Sequence, residues 1–169
     1  AIALAVPAAT ARAEVDPLLP VEASLARLSL LNRLSTGSEG VVRELAGEAA
    51  ARPGDPEPLV WLGIVHIKLG QPRRAIRVLR TAEKAGESSG LHKALGVAYY
   101  MERQYELFRQ QMEKALAAEP PDPAPLYYLG RHFDSDELDF EKALTYLRRF
   151  LSQRPDFARG QYQAGFCLA

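Results

Sequence analysis

The stretch with the greatest potential for chemistry is acidic. Residues 134–139 read DSDELD and supply several oxygen donors of the kind that bind Ca²⁺. The stretch lacks the glycine at the sharp turn and the glutamate at the twelfth position that a calcium loop requires. A turn between two helices, with Asp139 as the N-cap of the second helix, explains the same residues. We therefore predict no calcium site here.

The histidines and the cysteine form no catalytic or metal-binding pattern. His66, His92 and His132 lie far apart in sequence, and Cys167 is the single cysteine. We predict that His66 and His92 occupy helix-packing positions and that Cys167 is a small core residue. The sequence contains no glycine-rich phosphate loop and no His-Glu-x-x-His motif. It therefore predicts no enzyme, no catalytic residues, no cofactor and no metal.

The composition is that of a globular protein with one domain or one repeat array. The 169 residues include 21 basic and 21 acidic side chains, so the net charge is zero and predicts no general attraction to nucleic acid. Hydrophobic residues make up 47% and charged residues 25%, which argues against a disordered chain. No apolar run reaches the roughly 18 residues that a membrane-spanning helix needs.

A repeat of about 34 residues organises the chain. Leu-Gly pairs recur at 62–63, 95–96 and 129–130, and prolines or glycines break the chain in phase between them. Between these breaks, apolar residues follow the i, i+3, i+4, i+7 spacing of helices. Each unit is therefore predicted to be a helix pair: 57–69 with 73–85, 90–102 with 105–118, and 124–134 with 140–153. Glycine in the first helix, facing alanine in the second, allows close approach, and the units must stack to bury their apolar faces.

This pattern resembles tetratricopeptide repeats. The second unit carries Leu95, Gly96, Tyr99, Ala115 and Pro120 in register with that family, whereas the first unit has a histidine in place of the usual tyrosine. The resemblance implies an all-α fold, a right-handed solenoid of helix-turn-helix repeats. It divides the chain into an N-terminal apolar tail (1–21) and a solenoid (22–169) with a degenerate repeat (22–55), three repeats (56–88, 89–122 and 123–157) and a truncated repeat helix (158–169).

The resemblance also implies that the first helices line a concave surface. Carried over by position, the predicted partner-binding groove consists of Val60, Ile64, Ile67, Lys68, Lys93, Val97, Tyr100, Met101, Tyr127, Arg131, Asp134, Tyr162 and Phe166. Such an apolar and aromatic lining favours a helix or an extended peptide as partner. The alternative is that another part of the same protein covers the lining, for which Ala1–Ala9 is the candidate.

Two features of the sequence narrow the predicted kind of partner. Val60 and Ile64 stand where relatives that bind a terminal carboxylate carry the first lysine and asparagine of a clamp, so we expect no carboxylate clamp. Arg73, Arg77 and Arg80 share one face of the second helix of the first unit. We predict a solvated convex face there, with contact to lipid headgroups or an acidic partner as the alternative.

Both ends of the chain carry signals. The alanine-rich start is similar to the apolar region of a signal peptide, and Ala11-Arg12-Ala13 fits a cleavage site. We therefore expect a periplasmic or secreted protein that can be membrane-associated, with a cytoplasmic location as the alternative. Residues 165–169 continue a helical pattern without a stop signal, so we expect the natural chain to extend further.

These observations lead to one hypothesis with three alternatives. We predict a non-catalytic interaction module that holds a protein or peptide partner in the groove, within an envelope or membrane-associated assembly. The alternatives are a permanent structural subunit of a membrane complex, the recruitment part of a longer enzyme or sensor, and a homo-oligomer formed through the open edge at 162–168.

Overall fold

The computed structural model describes residues 16–21, 23–119 and 121–168. Within these ranges the chain forms helices and no strands. In chain order the helices are α1 (Leu25–Asn32), α2 (Leu34–Ala51), α3 (Glu57–Lys68), α4 (Pro72–Ala85), α5 (Ser89–Met101), α6 (Tyr105–Ala117), α7 (Ala124–Ser135), α8 (Phe140–Gln153) and α9 (Ala158–Phe166). The six helices predicted from the repeat pattern, α3 to α8, begin and end within one residue of their predicted bounds.

Local sequence explains where the helices begin. Proline, whose fixed φ suits the first turn, opens α4 and stands in the first turns of α3 and α7. Ser88 caps α5 by accepting a hydrogen bond from the N–H of Leu91. Asp139 caps α8 in the same way through Lys142, as the sequence predicted. These prolines and caps mark the beginnings of α3, α4, α5, α7 and α8.

Consecutive helices pack in series. The pairs α3–α4, α5–α6 and α7–α8 each form a hairpin, and α4, α6 and α8 pack against the first helix of the next unit. Each unit mainly contacts its neighbours, which is the arrangement of a solenoid. Before the first pair, α2 packs against α3, with a kink at Gly37 inside α2.

The recurring glycines sit where two helices of a pair come closest. A Cβ added to Gly63 would lie 2.5 Å from Cγ of Leu79, and one added to Gly96 would lie 2.7 Å from Cε of Met112. Gly130 faces Leu147 in the same way, at 2.7 Å from its Cγ. The side chain nearest to each glycine is a leucine or methionine rather than the predicted alanine, and it needs the space that the missing Cβ leaves. Ala143 does face Gly130 as predicted, with its carbonyl oxygen 3.3 Å from the added Cβ.

The interior consists of two hydrophobic clusters. The larger one joins side chains of α1 to α7 with Leu18 and Leu19, and the smaller one lies between α7, α8 and α9. Leu116 and Tyr146 pack against both clusters and connect them. In the described part of the chain, no helix combines the length and the apolar character that crossing a membrane would require.

Candidate functional site

A short irregular segment before the first helix, residues 16–21, lies against the first helices of the first two repeats. We call this segment the strap. Asp16 pairs with Lys68 at the end of α3, whereas Pro20 contacts Gly90 near the beginning of α5. The strap therefore runs antiparallel to α3. Since Lys68 and Lys93, both contacted by the strap, occupy predicted groove positions, the strap lies along the predicted concave surface.

A buried lysine joins the strap to the repeats. The ammonium group of Lys93 donates a hydrogen bond of 2.6 Å to the backbone carbonyl of Leu19 and pairs with the carboxylate of Asp122. The other carboxylate oxygen of Asp122 accepts a hydrogen bond of 2.8 Å from the N–H of Ala124, at the beginning of α7. Burial lowers the pKa of Lys93, while the negative charges of Asp122 and Asp16 oppose that shift.

The groove between α3 and α5, which we call the channel, has an apolar part that the leucines of the strap fill. Leu18 and Leu19 are 4% and 8% exposed and belong to the same cluster as Val60, Ile64 and Ile67. Backbone and side chain of Asp16 shape the strap: the N–H of Leu18 donates to its carboxylate at 2.9 Å, and the N–H of Leu19 to its carbonyl at 3.0 Å. The strap is thus a turn over residues 16–19, and a second turn follows it, in which the N–H of Ala23 donates to the carbonyl of Pro20 at 3.2 Å.

A cleft remains beside the strap. It has a volume of about 260 Å³ and opens between the strap and the beginnings of α3 and α5. Pro20 and Val21 form one wall, and Val60, Trp61 and Asp122 contribute to the opposite side. The channel over the first two repeats is therefore wider than the segment that occupies it.

The predicted groove residues separate into an interior and an exposed group. Buried among the described residues are Val60, Ile64, Ile67, Lys93, Tyr127 and Asp134; half-buried are Val97 and Tyr100; exposed are Lys68, Met101, Arg131, Tyr162 and Phe166. The buried groove residues thus lie beneath the strap or between packed helices. The exposed groove residues remain accessible to solvent.

The exposed residues at the C-terminal end border an open cleft. Tyr162, which is 77% exposed, and Gln163 of α9 face Tyr127 and Arg131 of α7 across a volume of about 490 Å³. The guanidinium group of Arg131 lies 6.0 Å from the centre of the Tyr127 ring. This part of the concave surface combines aromatic area with positive charge and is not covered by the strap.

Tyr127 belongs to the core rather than to the groove surface. Its ring centre lies 5.5 Å from that of Phe150 and 5.1 Å from that of Phe157. Phe157 follows Pro155 in the turn between α8 and α9, and its side chain is buried there. Tyr127 is only 5% exposed, so a partner could reach at most its edge.

Asp134 also lies inside, between α7 and α9. Its carboxylate accepts hydrogen bonds from the side-chain amide of Gln163 and from Sγ of Cys167, the latter at 3.4 Å. Burial, followed by this hydrogen bond, raises the pKa of the Cys167 thiol to about 11. Cys167 is half-buried, and its thiol is held in the protonated form at neutral pH.

A polar cluster connects the second and third repeats around His132, which is fully buried. The ring nitrogens of His132 face Asp136 at 3.3 Å and Glu137 at 3.0 Å. The hydroxyl of Tyr100 donates to Asp136 at 2.6 Å, and that of Tyr105 donates to its other oxygen at 3.1 Å. Tyr100, a predicted groove residue, is thus engaged in a contact between repeats.

The cluster has defined electrostatics. Burial opposes the ionisation of Asp136, but hydrogen bonds from Tyr100, Tyr105 and His132 outweigh it and lower the pKa of Asp136 below its usual value. Burial, together with the contact to Asp136, raises the pKa of Tyr100 to about 12. The arrangement therefore favours a charged aspartate and a protonated tyrosine.

The acidic stretch 134–139 does not converge on one point. Asp134 contacts α9, Asp136 contacts the two tyrosines, and Asp139 caps α8. Among the described residues, no group of three or more histidine, cysteine, aspartate or glutamate side chains is placed to hold a metal ion. His66 and His92 each hydrogen-bond a glutamine at 2.9 Å, which fits the predicted helix-packing role.

The basic face on α4 is partly paired. Arg73 contacts Glu102 at 2.9 Å, and Arg80 contacts Glu83 at 2.6 Å as well as the hydroxyl of Tyr99. The first of these side chains is 87% exposed. The contacts Arg73–Glu102 and Arg80–Tyr99 link α4 to the end of α5 at the surface, whereas the pair Arg80–Glu83 lies within α4.

The prediction of no enzyme overlooked residues 86–90, which read Gly-x-Ser-x-Gly, the letters of a serine-hydrolase nucleophile turn. In the structure, they connect α4 to α5, and no strand precedes them in the described chain. Ser88 caps α5, and the hydroxyl of Ser89 donates to the carbonyl of Ala115 at 2.9 Å. Both serines therefore have structural partners.

The strap is the feature that sequence reasoning missed. The cover predicted from the sequence, Ala1–Ala9, lies outside the described residues, as does the predicted cleavage site at 11–13. Two signals in the sequence indicate the strap: a leucine pair between Pro17 and Pro20, and a lysine at position 93, which is followed by eight uncharged residues.

Comparison with solved structures finds similar solenoids. MamA from Desulfovibrio magneticus RS-1 is 27% identical, with a TM-score of 0.67 over 92% of this chain and 85% of that chain. Another MamA crystal structure is 24% identical, with a TM-score of 0.68 over 81% and 80%. YrrB, described as a TPR protein with an unusual peptide-binding site, is 18% identical, with a TM-score of 0.60 over 86% and 76%. No protein-family model and no curated protein matches the chain.

Proposed function

We propose that this chain, which folds as a tetratricopeptide repeat solenoid and is thus a protein–protein interaction module, holds a peptide segment of a protein partner on its concave surface without catalysing a reaction. One observation carries the proposal: the concave surface already accommodates a non-helical chain segment, residues 16–21, through side-chain and backbone contacts. The peptide-binding site described for YrrB, which shares the fold, supports it.

The uncovered cleft between α7 and α9 is the contact surface in this proposal. Tyr162 offers a rigid aromatic ring whose ordering costs little entropy, and Arg131 offers a charged planar donor for a carboxylate. Gln163 borders the same cleft. This surface fits a partner segment that carries one acidic and one apolar side chain.

Peptide selection tests the assignment. Peptides that bind the full chain are selected from a random displayed library, and their affinities are measured by fluorescence anisotropy. We expect the double variant Arg131→Ala/Tyr162→Ala to bind them at least about tenfold more weakly, since two anchors at the centre of a site are lost. A matched variant, Phe140→Ala/Arg148→Ala, alters exposed residues of α8 and should bind as the wild type does. Equal affinity of the first variant would reject the site.

The cellular setting is a separate part of the proposal. The signal-like start supports export, and a partner in an envelope or membrane-associated assembly would follow from it. Fractionation of the native host, together with N-terminal sequencing of the recovered chain, tests this. A chain recovered from the cytoplasm with its first residues intact would reject export. Salt-resistant recovery with one complex at fixed stoichiometry would instead favour a permanent structural subunit.

Self-association through α9 is the second candidate. Tyr162, Phe166 and Leu168 are 77%, 60% and 65% exposed, and such apolar surface often marks an interface. Sedimentation of the wild type and of Phe166→Ser over a range of concentrations distinguishes the two. A wild type that stays monomeric throughout would eliminate this candidate.

A further inference from the structure

We propose that the strap is a built-in ligand of a second peptide site, the channel formed by α3 and α5. This channel takes from a partner protein a short non-helical segment in which two neighbouring leucines follow an acidic residue, with one residue between the acidic residue and the first leucine. The inference rests on the proposed function, peptide binding on the concave surface, but concerns the half that the uncovered cleft does not include.

The contacts of the strap are those of a bound peptide. An acidic side chain, Asp16, pairs with a lysine of the channel, Lys68. Two neighbouring leucines enter the apolar part, and a channel side chain binds the backbone carbonyl of Leu19. Charge, apolar anchors and a backbone contact together fix the position and direction of a bound segment.

Lys93 binds the backbone of the strap. It is 1% exposed, at a position whose helix neighbours Leu91, Ala94 and Leu95 are apolar. An apolar side chain in place of a buried ion pair is often equally or more stabilising, so packing alone does not explain a lysine there. A lysine that reaches a main-chain carbonyl binds a chain segment through its backbone, whatever the side chains of that segment are. The structure thus assigns Lys93 to backbone binding, with Asp122 compensating its charge.

The empty space beside the strap allows exchange. The cleft of about 260 Å³ separates Val21 from the beginnings of α3 and α5, so an incoming segment can enter at this end. Because the strap is tethered, its local concentration is of the order of millimolar, and a free peptide must compete with it. The wild type therefore binds such a peptide more weakly than a chain with a released strap does.

A reversible lock tests the proposal. A Cβ added to Gly90 would lie 3.4 Å from Cβ of Pro20, close to the separation of about 3.5–4.5 Å in disulfides. The full chain with Pro20→Cys/Gly90→Cys/Cys167→Ser can thus be locked by oxidation and released by reduction. The probe is a fluorescent peptide with the sequence of residues 14–23, titrated by anisotropy against both forms of the same protein.

We expect the reduced form to bind the probe at least about tenfold more tightly than the oxidised form, because only a released strap can be replaced. A second variant, Leu18→Ser/Leu19→Ser, should gain affinity over the wild type to a similar degree while keeping its helicity by circular dichroism. A probe with both leucines replaced by serine should lose binding. A Lys68→Glu chain should prefer a probe whose aspartate is replaced by lysine.

Three outcomes would overturn the proposal. The first is equal affinity of the oxidised and reduced forms. The second is no binding of the probe by either form or by the leucine variant. The third is strap exchange between copies, seen as dimers of the reduced form that exclude the probe. Hydrogen exchange of the wild type gives a check that needs no variant: strap amides that open only with global unfolding would make the strap purely structural.

Failure here is distinguishable from failure of the proposed function. Library peptides that need Arg131 and Tyr162 report on the uncovered cleft, whereas the probe reports on the channel. A chain that binds the former and ignores the latter keeps the proposed function and loses this inference.

Discussion

Lys93 donates a hydrogen bond to the carbonyl of Leu19, a residue 74 positions earlier in the chain. The same ammonium group pairs with Asp122, which precedes the third repeat. The side chain of Lys93, in the second repeat, thus connects a segment that belongs to no repeat with the residues just before α7.

Breaking this pair should be costly. Lys93→Met leaves the carboxylate of Asp122 buried without its cation, and we expect the free energy of unfolding to fall by about 3–5 kcal/mol. Adding Asp122→Asn should restore most of the loss, because asparagine keeps the acceptor for the N–H of Ala124. Urea unfolding followed by circular dichroism measures both variants. A double variant as unstable as the single one would show that the charge pair is not the cause.

The glycines of the helix pairs should respond differently to alanine. A Cβ at Gly63 meets both Cγ and the branches of Leu79, which is fully buried, so Gly63→Ala should lower the free energy of unfolding by about 1–3 kcal/mol. At Gly96 it meets the flexible end of Met112, and the helix propensity of alanine, about 1 kcal/mol, should roughly cancel the strain.

The matched control is Gly47 of α2. Nothing lies within 4 Å of a Cβ added there, so Gly47→Ala should raise the free energy of unfolding by about 0.5–1 kcal/mol. Thermal and urea unfolding give the order Gly47→Ala above wild type and Gly63→Ala below it. If Gly63→Ala were as stable as Gly47→Ala, close helix packing at Gly63 would be disproved.

The contact between the second and third repeats should weaken in acid. Since the pKa of Asp136 is lower in the folded state than the usual 3.8, its contribution to stability is present above pH 3.8 and disappears as pH falls through the folded value. Asp136→Asn should therefore cost more stability at pH 6 than at pH 3, because part of the contribution is lost once the pH is below 3.8. Unfolding curves of both proteins at the two pH values test this; a pH-independent difference would contradict it.

Two tyrosines predicted for one groove should behave differently. Tyr127→Ala removes a ring packed against Phe150 and Phe157 and should lower the free energy of unfolding by about 3 kcal/mol. Tyr162→Ala alters an exposed ring and should change it by less than about 0.5 kcal/mol. Equal effects in thermal unfolding would mean that α9 packs differently from the structure described.

The helices were predictable because their signals are local. Prolines and capping residues such as Ser88 and Asp139 fix the beginnings, and the apolar spacing fixes the faces, so the α3 to α8 bounds follow from the sequence. The stacking order follows as well, since a single helix pair cannot bury its apolar face.

The site was less predictable because burial at its positions depends on distant segments. Position in the repeat alone places Ile64 and Tyr127 on the concave side. In the structure, Leu18 and Leu19 join the hydrophobic cluster that contains Ile64, and Phe157 packs on Tyr127. Neither covering segment has helical spacing, because Pro17, Pro20 and Pro155 interrupt it. A segment outside the repeats shows no sequence periodicity, so the repeat pattern does not predict which surface it covers.

The strap also has a mechanical consequence. A solenoid whose repeats mainly contact their neighbours can lengthen, because the spacing between adjacent repeats can change. Through Lys68, Lys93 and Asp122 the strap bridges from the end of α3 to the residues just before α7 and resists stretching over that length. Among the described residues, the strap's contacts do not extend to α8 or α9. We therefore expect the described part of the solenoid to resist stretching more strongly between α3 and α7 than between α7 and α9.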